Sequence, residues 1–169
     1  MATFIGNIEA KADVKGRIFI PASYRKQLPE GERERLVMRM DPNNACLILY
    51  PEGVWNRKVA DFKEKLDEWN SGDQMLLMQF VSDAEWLDID SQGRVLISKR
   101  YLQQIGASLD VLFVGMLDRI ALWDKAAYER SRLSSNDFAK RLAEKMMKKS
   151  VDLIDIFKDI IIAVESSRG

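Results

Sequence analysis

One ten-residue pattern occurs twice in this chain. Ala12-Asp13-Val14-Lys15-Gly16-Arg17-Ile18-Phe19-Ile20-Pro21 returns 77 positions later as Ile89-Asp90-Ser91-Gln92-Gly93-Arg94-Val95-Leu96-Ile97-Ser98. The same offset, with no gap, carries Tyr24 onto Tyr101 and Leu28 onto Ile105. Agreement that runs through a turn, a strand and the start of a helix marks two copies of one structural unit. Such copies bury their apolar faces against each other rather than alone.

Each copy has a local logic. An extended segment, Ile8 to Ala12 or Glu85 to Ile89, enters a turn begun by an aspartate, whose carboxylate can accept backbone N–H groups two residues on. Gly16 and Gly93 suit the left-handed position of a short hairpin loop. A β-branched and aromatic strand follows, with Ile18 and Ile20 (or Val95 and Ile97) on one face. Arg17 and Phe19 (or Arg94 and Leu96) share the other face. Short helices are expected over about 22–28 and 99–105, the first led in by Pro21 and the second capped by the Ser98 hydroxyl. Pro29 stops the first, and Gly106 ends the second.

Two apolar strands then close each copy, Leu36–Met40 with Cys46–Tyr50 and Val111–Gly115 with Ile120–Trp123. In the first copy Trp55, Val59, Phe62, Leu66 and Trp69 recur at spacings of four and three, an apolar helical stripe that Ser71-Gly72-Asp73 is expected to end. In the second, a helix begun at Asp124 should break near Ser134-Ser135-Asn136. A long amphipathic helix follows over about 137–166, with a stripe of Phe138, Leu142, Met146, Leu153, Phe157, Ile161 and Val164. The expected organisation is a first repeat over 1–72, a second over 73–130 and a C-terminal amphipathic helix over 131–169. The tail's Lys140, Arg141, Lys145, Lys148 and Lys149, interrupted by Glu144 and followed by Asp152 and Asp155, read as a solvated helix face. Trp55, Trp69, Trp86 and Trp123 read as core or interface anchors.

Composition excludes several functions. Lys plus Arg and Asp plus Glu are both 26, so binding to nucleic acid would have to come from local positive patches repeated by oligomerisation. There is no histidine, which removes the commonest general base and metal ligand, and the single cysteine, Cys46, sits in an apolar run as a buried structural thiol. No catalytic residue, metal site or cofactor is expected. The N-terminus has no signal-peptide pattern, and the apolar segment Ile160–Val164 is far shorter than a bilayer span, so no membrane partner is expected.

The two Asp-x-x-Gly-Arg copies, DVKGRIFIPASYRKQL and DSQGRVLISKRYLQQIG, together resemble the signatures of the MraZ family of bacterial transcriptional regulators over about residues 4–128. Ser98 departs from the proline usual at that place in the second signature. The resemblance implies an α+β fold of two pseudo-symmetric βα-β units forming a swapped-hairpin, AbrB-like barrel, with helices after each unit. It implies a ring-shaped homo-oligomer that binds double-stranded DNA, at short direct repeats in the promoter of the division and cell-wall gene cluster. A cytoplasmic, nucleoid-associated protein is expected.

Under that resemblance the DNA-binding residues are Lys15, Arg17, Gln92 and Arg94, on loops formed by Asp13, Gly16, Asp90 and Gly93. Arginine offers a planar fork for guanine or phosphate, lysine a phosphate contact, and glycine would let the backbone approach the duplex. The first loop, with its extra lysine, is expected to dominate. Beside the resemblance, Arg25, Lys26, Lys99 and Arg100 at the helices after the loops either widen the basic face or are solvated surface. Two plainer readings stand beside these: each arginine is a surface ion pair with its aspartate, or the fold is a protein-binding, antitoxin-like module.

Overall fold

The computed structural model describes residues 3–169, apart from the side chains of 148–152. Lys148, Lys149 and Asp152, and Met1 and Ala2 of the N-terminus, therefore lie outside the described residues. Two compact units are distinguished, Met1–Arg130 and Ser131–Gly169.

The first unit contains β1 (Asn7–Lys11), β2 (Arg17–Phe19), α1 (Ala22–Arg25), β3 (Arg35–Met40), β4 (Leu47–Pro51), α2 (Glu52–Glu64) and α3 (Ser71–Ser82). The second copy of the repeat adds β5 (Glu85–Asp88), β6 (Arg94–Leu96), α4 (Lys99–Gln104), β7 (Asp110–Gly115), β8 (Ile120–Asp124) and α5 (Lys125–Ser131). Six strands form one antiparallel sheet in the order β1-β7-β8-β4-β3-β5, and β2 pairs with β6 in a separate ribbon.

That order is the repeat written in space. The midline between β8 and β4 exchanges β1 with β5, β7 with β3 and β2 with β6. The strands that flank each Asp-x-x-Gly-Arg loop do not pair with each other. β1 pairs with β7 and β5 with β3, so each copy lends its entering strand to the other, while β2 and β6 meet directly. The expected barrel is not closed: β1 and β5 remain as the two edges of the sheet. What completes the enclosure is packing. The ribbon's Ile18, Ile20, Val95 and Ile97 lie in one buried cluster with Leu36, Leu49, Phe113 and Leu122 of the sheet, and with Tyr24, Leu28, Tyr101 and Ile105 on or just after the short helices.

β4 and β8 are buried along their whole length, which is why their sequences run apolar instead of alternating. Their second face packs Ile48, Tyr50 and Trp123 against Trp55 of α2, Phe80 of α3 and Tyr128 of α5. Trp55 stacks on Phe80 at 5.3 Å between ring centroids. Cys46 is buried in this cluster as expected; burial first, and the Asp41 carboxylate second, push its thiol up to about 12.

Three local expectations are corrected. α2 ends at Glu64, and Ser71-Gly72-Asp73 begins a further helix, α3, because the Asn70 side chain accepts the Asp73 N–H at 2.9 Å and caps it. α3 therefore runs through positions 72 and 73, where the sequence suggested a boundary. Trp69, in the connection, is 90% exposed and Trp86 is 52% exposed, so the core half of the core-or-interface reading does not hold for these two; Trp86 lies under the Arg35 guanidinium at 3.8 Å. Ser98 makes no side-chain cap for α4. At the far end of the unit the Asp124 carboxylate is buried and accepts N–H groups from Ser108 and Ala127; burial pushes its pKa up, but these bonds outweigh it and hold the pKa below 3.8.

The second unit is one helix, α6 (Ser135–Ser167), whose first turn is capped by the Ser134 hydroxyl accepting the Asp137 N–H at 3.2 Å. Among the described residues no helix is long and apolar enough to cross a membrane.

Candidate nucleic-acid interface

The two loops have one hydrogen-bond plan. In the first, Asp13 Oδ1 accepts the N–H groups of Lys15 and Arg17, each at 2.9 Å, while Oδ2 accepts Arg17 Nε at 2.6 Å. In the second, Asp90 Oδ1 accepts from Gln92 and Arg94 at 2.9 Å and Oδ2 from Arg94 Nε at 2.9 Å. The glycine N–H of each loop closes the turn onto the aspartate carbonyl at 3.0 Å. Both aspartates are thus turn-formers. Their pKa values are held below 3.8 first by the arginine backbone N–H, then by the guanidinium and by the other backbone N–H.

Each arginine is also in the ion pair that a plain surface turn would hold. That pair uses only Nε. The four N–H groups on the two terminal nitrogens have no protein partner among the described residues, so the aspartate orients a fork without closing it. Solvent screening leaves an exposed pair of this kind little strength for a ligand to overcome.

The ribbon brings the two loops together. β2 and β6 pair with Arg17 opposite Leu96, Ile18 opposite Val95 and Phe19 opposite Arg94. Ile18 and Val95 point into the core, which leaves Arg17, Phe19, Arg94 and Leu96 on the outer face. Phe19 and Leu96 are more than half exposed, and the Arg94 guanidinium lies 5.9 Å from the Phe19 ring. The result is a small outward face with two arginines on its diagonal.

The glycines hold the turn position the sequence suggested, and they also sit against neighbouring groups of the protein. Gly16 and Gly93 have φ of +89° and +85°, as a left-handed turn position demands. The space a side chain would take is met by the protein itself, by backbone at Gly16 and by the end of a flexible side chain at Gly93. At Gly16 a Cβ would collide with the Ile97 carbonyl, and at Gly93 it would meet the Arg25 guanidinium, with Cζ at 2.6 Å. The carbonyls of Gly16 and Gly93 accept the N–H groups of Ile97 and Ile20, each at 2.9 Å, extending the ribbon at both ends.

Arg25 is the residue whose role sequence reasoning undervalued. It lies on α1 of the first copy but packs on the loop of the second, held by Nε donating to the Ile20 carbonyl at 3.1 Å. With Lys26 and Arg33 it lines a cleft of about 330 Å³ beside Asp90 and Gly93. The repeat held the signal. The offset carries Arg25 onto Leu102, and Leu102 is the side chain near Gly16 in the first loop. Arg100, by contrast, donates to Glu85 and to the Tyr101 hydroxyl. Among the described residues no cluster of three or more His, Cys, Asp or Glu side chains is arranged to hold a metal ion.

The chain is similar in sequence to proteins of one named family. A family model described as "MraZ protein, putative antitoxin-like" matches residues 3–74 and 80–149, further into the tail than the signatures alone reach. A protein of Bacteroides fragilis named transcriptional regulator MraZ is 46% identical over 146 residues, 86% of this chain and 92% of the relative. Its counterpart of the same name in Bacteroides thetaiotaomicron is 47% identical over 146 residues, covering 86% and 94%. One from an Anaeromyxobacter species, also so named, is 34% identical over 126 residues, covering 75% and 86%. With both copies of its repeat matched and its length shared with these relatives, the chain belongs to the MraZ family.

Proposed function

We infer that this chain is a DNA-binding transcriptional regulator, reading short direct repeats in the promoter of the division and cell-wall gene cluster with its Asp-x-x-Gly-Arg loops. The observation that carries this is the outer face of the β2–β6 ribbon, where Arg17 and Arg94 sit with their terminal nitrogens unpaired among the described residues. The names of the relatives support the regulator class. Lys15 and Gln92 flank the two arginines along the loops, and Arg25 adds a cation beside Gly93.

One chain offers only a few such contacts, and its formal net charge is zero. A ring of identical subunits multiplies them by effective concentration, and loop spacing then selects repeats at a fixed interval. The test is a titration of promoter repeats with the Arg17→Ala/Arg94→Ala double variant. Loss of binding with the oligomer size unchanged supports the loop reading; undiminished binding refutes it. The protein-binding, antitoxin-like reading predicts that the wild-type chain does not bind the promoter repeats either.

A further inference from the structure

The long helix α6 is mainly basic in its first half and mainly acidic in its second, with Asp137 and Glu144 the exceptions in the first and Lys158 in the second. Lys140, Arg141 and Lys145 lie in its first half, and Asp155, Asp159 and Glu165 in its second. Arg141 with Lys145, and Asp155 with Asp159, are like charges four residues apart, an arrangement that weakens a helix standing alone. None of these four side chains has an ion-pair partner among the described residues.

An apolar seam runs beside them. Leu142, Leu153, Ile156 and Ile160 fall on one seven-residue repeat, in which Lys149 is the charged position between Leu142 and Leu153, and each of the four is at least half exposed. Lys145 and Asp159 are two heptads apart, so they lie on the same flank of that seam. The family match stops at residue 149, inside α6, so the acidic half lies beyond it.

We propose that α6 is a self-association helix that pairs antiparallel with α6 of a second copy of this chain. Charge complementarity selects both partner and direction. Antiparallel pairing about the middle of the helix lays the mainly basic first half of one copy along the mainly acidic second half of the other, twice by symmetry, brings Lys145 beside Asp159 across the seam, and sets Leu142 opposite Ile160. Parallel pairing would instead lay basic half along basic half and acidic half along acidic half. This surface is separate from the loops, and the proposal does not rest on the DNA-binding reading.

Cysteine cross-linking of the full chain tests it. Leu142→Cys and Ile160→Cys proteins are oxidised separately and as a mixture. The antiparallel pair yields heterotypic dimers in the mixture, because each homotypic sulfur pair would be about 27 Å apart along the helix axis. Adding Arg141→Glu/Lys145→Glu to both proteins should lower the cross-linked yield at least tenfold. Adding Asp155→Lys/Asp159→Lys as well should restore it. Homotypic dimers as abundant as heterotypic ones overturn the proposal, as does a heterotypic yield no greater than that of the separate samples. Insensitivity to charge reversal, or failure of the fourfold swap to restore the yield, does the same. Circular dichroism of each variant confirms that the chain is folded.

Discussion

The two Asp-x-x-Gly-Arg loops share a backbone and differ in charge. Their aspartates accept the same three N–H groups, and their glycines take the same left-handed turn position. Within its own five residues the first loop carries Lys15 and Arg17 against Asp13, while the second has only Arg94 against Asp90. On that count the first loop should dominate. The exchange of strands between copies changes the balance, because it lays Arg25 of the first copy on Gly93 of the second loop and Leu102 of the second copy near Gly16 of the first. Each loop ends with one cation besides its arginine, one drawn from within and one supplied across the ribbon. A repeat that has diverged in sequence has kept its charge through topology.

The largest expected effect comes from removing what the loops share. Arg17→Ala/Arg94→Ala should weaken binding to promoter repeats about 30-fold or more, at roughly 1–3 kcal/mol for each arginine that pairs bidentately with a base; fluorescence anisotropy measures it. Next come the glycines. Gly16→Ala and Gly93→Ala each force a side chain into a left-handed position, costing roughly 1–2 kcal/mol before any collision. Gly16→Ala should lose more stability in chemical denaturation, because the Ile97 carbonyl belongs to the ribbon while the Arg25 side chain can swing aside. Equal losses would mean that Arg25 is not mobile at Gly93.

Smaller effects compare the two added cations. Lys15→Ala and Arg25→Ala should each reduce the slope of log K against log salt by about 0.9 if each meets one phosphate, whereas Gln92→Ala should leave it unchanged. A slope altered by Lys15→Ala alone would restore the unequal pair that the sequence suggests. The smallest effect is on pH. Both aspartates have pKa values lowered by folding, so their contribution is complete above the unfolded value near 3.8 and is lost only as pH falls through the lower folded value. The amide NMR shifts of Arg17 and Arg94 should therefore stay constant down to about pH 4.

How legible was this in the sequence? The repeat disclosed the loops, the ribbon strands and the buried runs of β4 and β8, because turn chemistry and apolar pattern are local. α3 was hidden because Ser71-Gly72-Asp73 signals a helix end as readily as a start, and only Asn70 capping Asp73 decides between them. The open edges of the sheet and the placement of Arg25 depend on which strands exchange, a long-range outcome that no window of sequence displays. Even so, the break in the repeat at Arg25 and Leu102 was visible, and it marks the one contact where the two copies differ most in chemistry.

The most direct measurement is an unbiased selection of bound DNA fragments with the wild-type chain and with the Arg17→Ala/Arg94→Ala variant, at two salt concentrations. The account predicts that the wild type recovers direct repeats at one fixed spacing at both concentrations, and that the variant, with its oligomer size unchanged, recovers none. Recovery of the same repeats by the variant, or wild-type binding that falls steeply with salt and shows no sequence preference, would contradict it.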